Sequence, residues 1–102
     1  MRVEDMGLWI DATPEACAFV KERGGMLFLR ARRFVGFPGG LTMLVTTTEP
    51  PPDALDWRRI QVRGFLLFVP RKMRLPDELH LQLRGRFRRR IDALWNGCIY
   101  VV

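Results

Sequence analysis

A chain of 102 residues that is 48% hydrophobic and 11% aromatic has the size of one small domain and enough apolar matter for a packed core, which excludes intrinsic disorder. Its apolar runs, such as "FLLFV" (Phe65 to Val69), are far short of the roughly 20 residues of a membrane-spanning helix, and "MRVEDMGLW" carries acids where a signal peptide would be basic and then apolar. A single domain over residues 1–102, cytoplasmic and without membrane contact, is therefore expected, and its net charge of +6, with 15 arginines among 17 basic residues, suits a nucleic acid or an acidic protein partner as well as an ordinary solvated surface.

"LWI" (Leu8 to Ile10) is a short apolar run, and "DATPEACAFVKERGG" after it has the punctuation of one helix. Thr13 caps it, Pro14 suits its first position, Glu15 favours the positive end of the dipole, and Gly24 ends it. Ala16, Phe19 and Val20 share one face, and Cys17 beside them reads as a small core residue rather than a nucleophile. "MLFLRAR" from Met26 is a strand that begins buried on both faces and ends in alternating arginines. A glycine loop then leads to "LTMLVTTT", a second strand of β-branched residues, closed by prolines that cannot join a ladder.

Asp53 to Trp57 is expected as a turn or a single helical turn. "RIQVRGFLLFV" reads as a hairpin about Arg63-Gly64. "ELHLQLRG" alternates, putting Leu79, Leu81 and Leu83 on one face and His80, Gln82 and Arg84 on the other. "RIDALWNGCIYVV" holds Asn96-Gly97 between apolar runs, which predicts a two-residue hairpin with Cys98 facing Trp95.

Catalytic templates fail for want of residues. No serine occurs in the chain, so a Ser-His-Asp arrangement is excluded, and the single histidine, His80, has no second ligand or orienting acid suggested by its sequence neighbourhood. The acid pairs Glu4-Asp5 and Asp77-Glu78 read as solvated or capping groups. "GFPGG" matches neither the dinucleotide fingerprint nor the P-loop. Two cysteines, Cys17 and Cys98, form no CxxC pair and define no metal site. No enzymatic activity, metal or cofactor is expected.

The order of parts, "TPEACAFVKERGGMLFLRA", a glycine loop, a proline-broken link, "IQVRGFLLFVP" and then "LPDELHLQLRG", resembles the HesB-like fold of the CC/Se-motif (seleno)proteins, distant relatives of the A-type iron-sulfur carriers. The resemblance covers Asp11 to Gly85. It implies a mainly β fold with one amino-terminal α-helix, arranged as a mixed β-sandwich or flattened barrel. It also implies a degenerate site: where the family has adjacent cysteines or a cysteine-selenocysteine pair, this chain has Phe37 and Pro38 framed by Gly36, Gly39 and Gly40. The carriers' carboxyl-terminal Cys-Gly-Cys is reduced here to Cys98.

Three roles follow. The first is a non-catalytic HesB-like domain acting by self-association or contact with a protein partner. The second is nucleic-acid binding through Arg30, Arg32 and Arg33 together with Arg86, Arg88, Arg89 and Arg90, with Phe34, Trp57 or Phe87 stacking on bases. The third is an iron-sulfur or thiol carrier that uses Cys98 as a ligand across a dimer, because a cluster takes four ligands and one thiolate per chain is too few.

Overall fold

The computed structural model describes residues 2–5, 8–34, 41–51, 56–73, 77–96 and 100–101, with 2–5, 34, 41 and 100–101 described by their backbone alone. Among the described residues strand is the dominant structure, with one helix near the amino terminus and two mixed sheets. The elements are β1 (Arg2–Asp5), β2 (Leu8–Ala12), α1 (Pro14–Glu22), β3 (Met26–Phe34), β4 (Leu41–Thr47), β5 (Trp57–Val62), β6 (Phe65–Pro70), β7 (Glu78–Arg84), β8 (Arg90–Trp95) and β9 (Tyr100–Val101). One sheet runs β1-β2-β7-β8 and the other β5-β6-β3-β4-β9. Each contains one parallel pair, β2 with β7 and β3 with β6. The mainly β expectation therefore holds.

α1 forms where its caps demand it. The Thr13 hydroxyl oxygen accepts from the Ala16 amide at 3.2 Å, and Pro14 occupies the first turn. At the other end the amides of Arg23 and Gly25 return to Phe19 and Val20 carbonyls. Gly24 and Gly25, at φ +112° and +78°, then turn the chain into β3. Ala16, Phe19 and Val20 enter a core shared by both sheets, together with Ile10 of β2, Leu27 and Leu29 of β3, Leu67 of β6 and Leu79 and Leu81 of β7. Burying each such leucine contributes about 1.5–3 kcal/mol.

Alternation decides which side chains reach that core. On β7, Leu79 and Leu81 are buried and Leu83 packs against the core, as the sequence pattern requires. β3 is buried on both faces at its start. Leu27 and Leu29 point inward, while Phe28 stacks on Phe68 at 4.7 Å and meets Trp57 edge-on at 5.4 Å on the outer side.

One expectation falls in part outside the described residues and another needs correction. The hairpin expected at Asn96-Gly97, with Cys98 facing Trp95, falls on residues 97–99, outside the described residues; of the described strands on either side, β8 pairs with β7 and β9 with β4 in the other sheet. Asn96, at φ 47°, fastens the end of β8 to the start of β7: its Oδ1 accepts from the Glu78 amide and its own amide donates to the Glu78 carbonyl, both at 2.8 Å. The turn expected from Asp53 to Trp57 ends too late, since Trp57 is the first residue of β5; residues 52–55 lie outside the described residues.

Candidate nucleic-acid interface

The β7–β8 hairpin closes its ladder with Arg84 opposite Arg90, leaving Gly85 to Arg89 as its loop. Gly85 is required twice over. Its φ is +100°, and a β-carbon there would collide with the carbonyl oxygen of Arg88, because the loop folds back over this point. The fold-back leaves residues 84–90 exposed, with Phe87 at 98% of its full accessibility.

Five arginines, Arg84, Arg86, Arg88, Arg89 and Arg90, occupy this hairpin end against one nearby acid, Asp92. Asp92 braces two of them. Its Oδ1 lies 3.1 Å from Arg90 Nε and its Oδ2 3.6 Å from Arg84 Nε. Like charges placed opposite each other in a ladder are destabilising, and the carboxylate offsets part of that repulsion at the Arg84–Arg90 step. Arg86, Arg88 and Arg89 have no carboxylate partner among the described residues. This concentration of charge weakens the folded hairpin unless an anion is bound.

The other arginine cluster sits on β3. Arg30 and Arg32 share the outer face with Phe28, whereas Arg33 has the opposite parity. The Arg30 guanidinium lies 5.9 Å from the Trp57 ring centroid, a cation–π contact that holds the charge beside an aromatic surface. Arg32 and Arg33 are exposed.

β4 borders both clusters. Three adjoining concavities all include Thr46. The first, about 550 Å³, lies between β4 and β8 and is lined in part by Arg84 and Arg90. The second, about 180 Å³, takes Arg23, Arg89 and Arg90. The third, about 310 Å³, takes Arg30 but also Glu49, which makes it the least suited to an anion. Arg84, Arg89 and Arg90 are thus brought together with Arg23 along β4, while Arg30, opposite Val45, stays on the outer face of the five-stranded sheet. Arg32, Arg33, Arg86 and Arg88 line none of the three.

No protein-family model, no curated protein and no solved structure matches this chain.

The loop of Gly36, Phe37, Pro38, Gly39 and Gly40, and Cys98, lie outside the described residues. Cys17 is half-buried against the core, and burial pushes its thiol up, so it is a thiol rather than a thiolate at neutral pH. Among the described residues no group of three or more His, Cys, Asp and Glu is placed to hold a metal ion, and no helix is long and apolar enough to cross a membrane.

His80 has acids beside it, contrary to the expectation from its sequence neighbourhood. Its Nε2 lies 3.3 Å from Glu78 Oε2, and its Nδ1 lies 3.8 Å from Asp11 Oδ2. Glu78 was visible as the same-face neighbour two positions earlier. Asp11 was not, because only the parallel β2–β7 register places it opposite His80. Sequence reasoning likewise missed Arg23 and Thr46 to Thr48 as neighbours of the arginine loop, since three separate elements bring them together.

Proposed function

We propose that this chain is a non-catalytic binding protein that takes a nucleic-acid strand along β4 and across the β7–β8 hairpin. The observation that carries the reading is the exposed end of the β7–β8 hairpin, where five arginines surround a fully exposed phenylalanine and Arg84, Arg89 and Arg90 line concavities against β4. Guanidinium groups pair with phosphate oxygens through two parallel N–H donors, which fixes position as well as charge. Phe87 presents a ring that water solvates poorly and that a base can cover by stacking. The net charge of +6 draws a polyanion toward the surface before any contact forms.

Fluorescence anisotropy of a short labelled single strand, titrated with the protein at several salt concentrations, tests this. Each neutralised phosphate contributes a slope of about −0.7 in log K against log salt for single strands, so engagement of several arginines gives a steep line. Absence of binding to RNA and DNA at low salt overturns the reading.

A second reading, self-association or docking of a protein partner by a HesB-like domain, is supported by a different face. Trp57, Leu66, Phe68, Met43 and Val45 lie on the outer side of the five-stranded sheet and are only half-buried, while α1 contributes its apolar residues to the core. Sedimentation velocity tests it: a defined oligomer without bound metal is expected, and a monomer carrying stoichiometric iron sinks it.

A further inference from the structure

The notch of about 180 Å³ between the end of α1, the end of β4 and the β7–β8 loop has a chemistry of its own. Its floor is apolar and closed, formed by buried Phe19, Leu27 and Ile91. Around it stand Arg23, Arg89 and Arg90 with Thr46, Thr47 and Thr48, and no carboxylate lines it.

Two of the cations are held in place. The Arg23 guanidinium lies over the Phe19 ring, 4.6 Å from its centroid. Asp92 Oδ1 takes Arg90 by Nε at 3.1 Å. The threonines are also ordered: Thr46 donates its hydroxyl to the Ile91 carbonyl at 2.6 Å, which ties β4 to β8 across the floor. Thr47 Oγ1 accepts from the Glu49 amide at 3.1 Å, and a hydroxyl that accepts in this way keeps its own proton to donate.

Three guanidiniums and hydroxyl donors above an apolar floor suit a compact, multiply charged oxyanion. An interior phosphodiester carries one negative charge and continues into chain on both sides. A phosphate monoester carries about −1.5 to −2 at neutral pH and presents three acceptor oxygens, and it enters a notch with a closed base end-on. We infer that this notch seats a phosphate monoester, the terminal phosphate of a strand whose following phosphates run along the arginine hairpin. The strand itself rests on the nucleic-acid reading above; the phosphate notch does not.

The test compares one short single-stranded oligonucleotide with a 5′-phosphate and with a 5′-hydroxyl, alongside inorganic phosphate as a thermal-shift ligand. The expected result is about tenfold tighter binding of the phosphorylated strand, a preference lost in both Arg23→Gln and Thr48→Val and competed away by inorganic phosphate. Arg86→Ala, which lies outside the notch, should weaken both strands equally. Equal binding of both strands by the wild-type protein overturns the notch and leaves the nucleic-acid reading standing. No strand binding, with phosphate raising the melting temperature of the wild type but not of Arg23→Gln, supports the notch and overturns the nucleic-acid reading. Absence of both responses overturns both.

Discussion

The β5–β6 and β7–β8 hairpins are built on the same plan and end differently. In each, alternate side chains enter the common core: Ile60, Val62, Phe65 and Leu67 from one, Leu79, Leu81, Ile91 and Ala93 from the other. The first turns in two residues, Arg63 and Gly64, with Val62 opposite Phe65. Its turn is self-contained, since Gln61 Nε2 donates to the carbonyls of Val62 and Phe65 at 2.8 and 3.2 Å. The second uses Gly85 to Arg89 where two residues would have sufficed, and fills the surplus with arginines and an exposed Phe87. The core dictates where the strands lie; it does not dictate a charged, open loop. That surplus is the part of the hairpin available for binding.

The comparison breaks first if the two hairpins prove unequal in the core. Leu67→Ala in β6 and Leu81→Ala in β7, both at 0% exposure, should each lose about 2–5 kcal/mol. Urea denaturation checks this, and a loss confined to one of them would show that only one hairpin is anchored. The next largest effect separates the glycines. Gly64→Ala meets nothing within 4 Å and suffers only from its φ of +88°, a loss of about 1 kcal/mol. Gly85→Ala meets the same backbone penalty and the Arg88 carbonyl as well, so it should lose about 2–3 kcal/mol. Equal melting shifts would mean that the loop moves aside without resistance.

Binding sharpens the contrast further. Phe87→Ala removes a side chain that makes almost no contact with the folded protein, so the melting temperature should hold while single-strand affinity falls about tenfold. Replacing Arg86 and Arg88 together by alanine should reduce the salt slope by about 1.4 if each neutralises one phosphate of a single strand. Arg63→Ala, at the tip of the compact hairpin, should leave that slope unchanged. A slope equally sensitive to Arg63 would assign the effect to net charge alone.

What the sequence disclosed follows the range of the interactions involved. α1 was legible because Thr13, Pro14 and Gly24 act on residues within a turn of themselves. Leu79, Leu81 and Leu83 were legible because strand alternation is local. Asn96 was hidden for the opposite reason: its dipeptide suggests only a local turn, whereas its bonds run to Glu78 of another strand. The arginine loop was visible as composition. Its proximity to Arg23 and Thr46 to Thr48 was not, because that depends on two sheets and a helix meeting. The acid opposite His80 was hidden by the same kind of long-range register.

The smallest expected effect concerns Cys17, in the helix that packs on the core both hairpins share. Burial raises its pKa by disfavouring the thiolate; the amino terminus and Arg63 oppose that shift but do not cancel it. A free thiol with a pKa of about 8.5 alkylates appreciably at pH 8. Cys17 should react more slowly there, and its rate should climb only at higher pH. The folded protein prefers the protonated thiol, so this group's stabilising contribution is complete at neutral pH. It diminishes as the pH rises through the ordinary thiol range toward the raised value, because the unfolded chain ionises first. Mass spectrometry of peptides after timed iodoacetamide exposure follows Cys17 specifically. Fast labelling at pH 7 would show that α1 opens readily and that the shared core is looser than the two hairpins require.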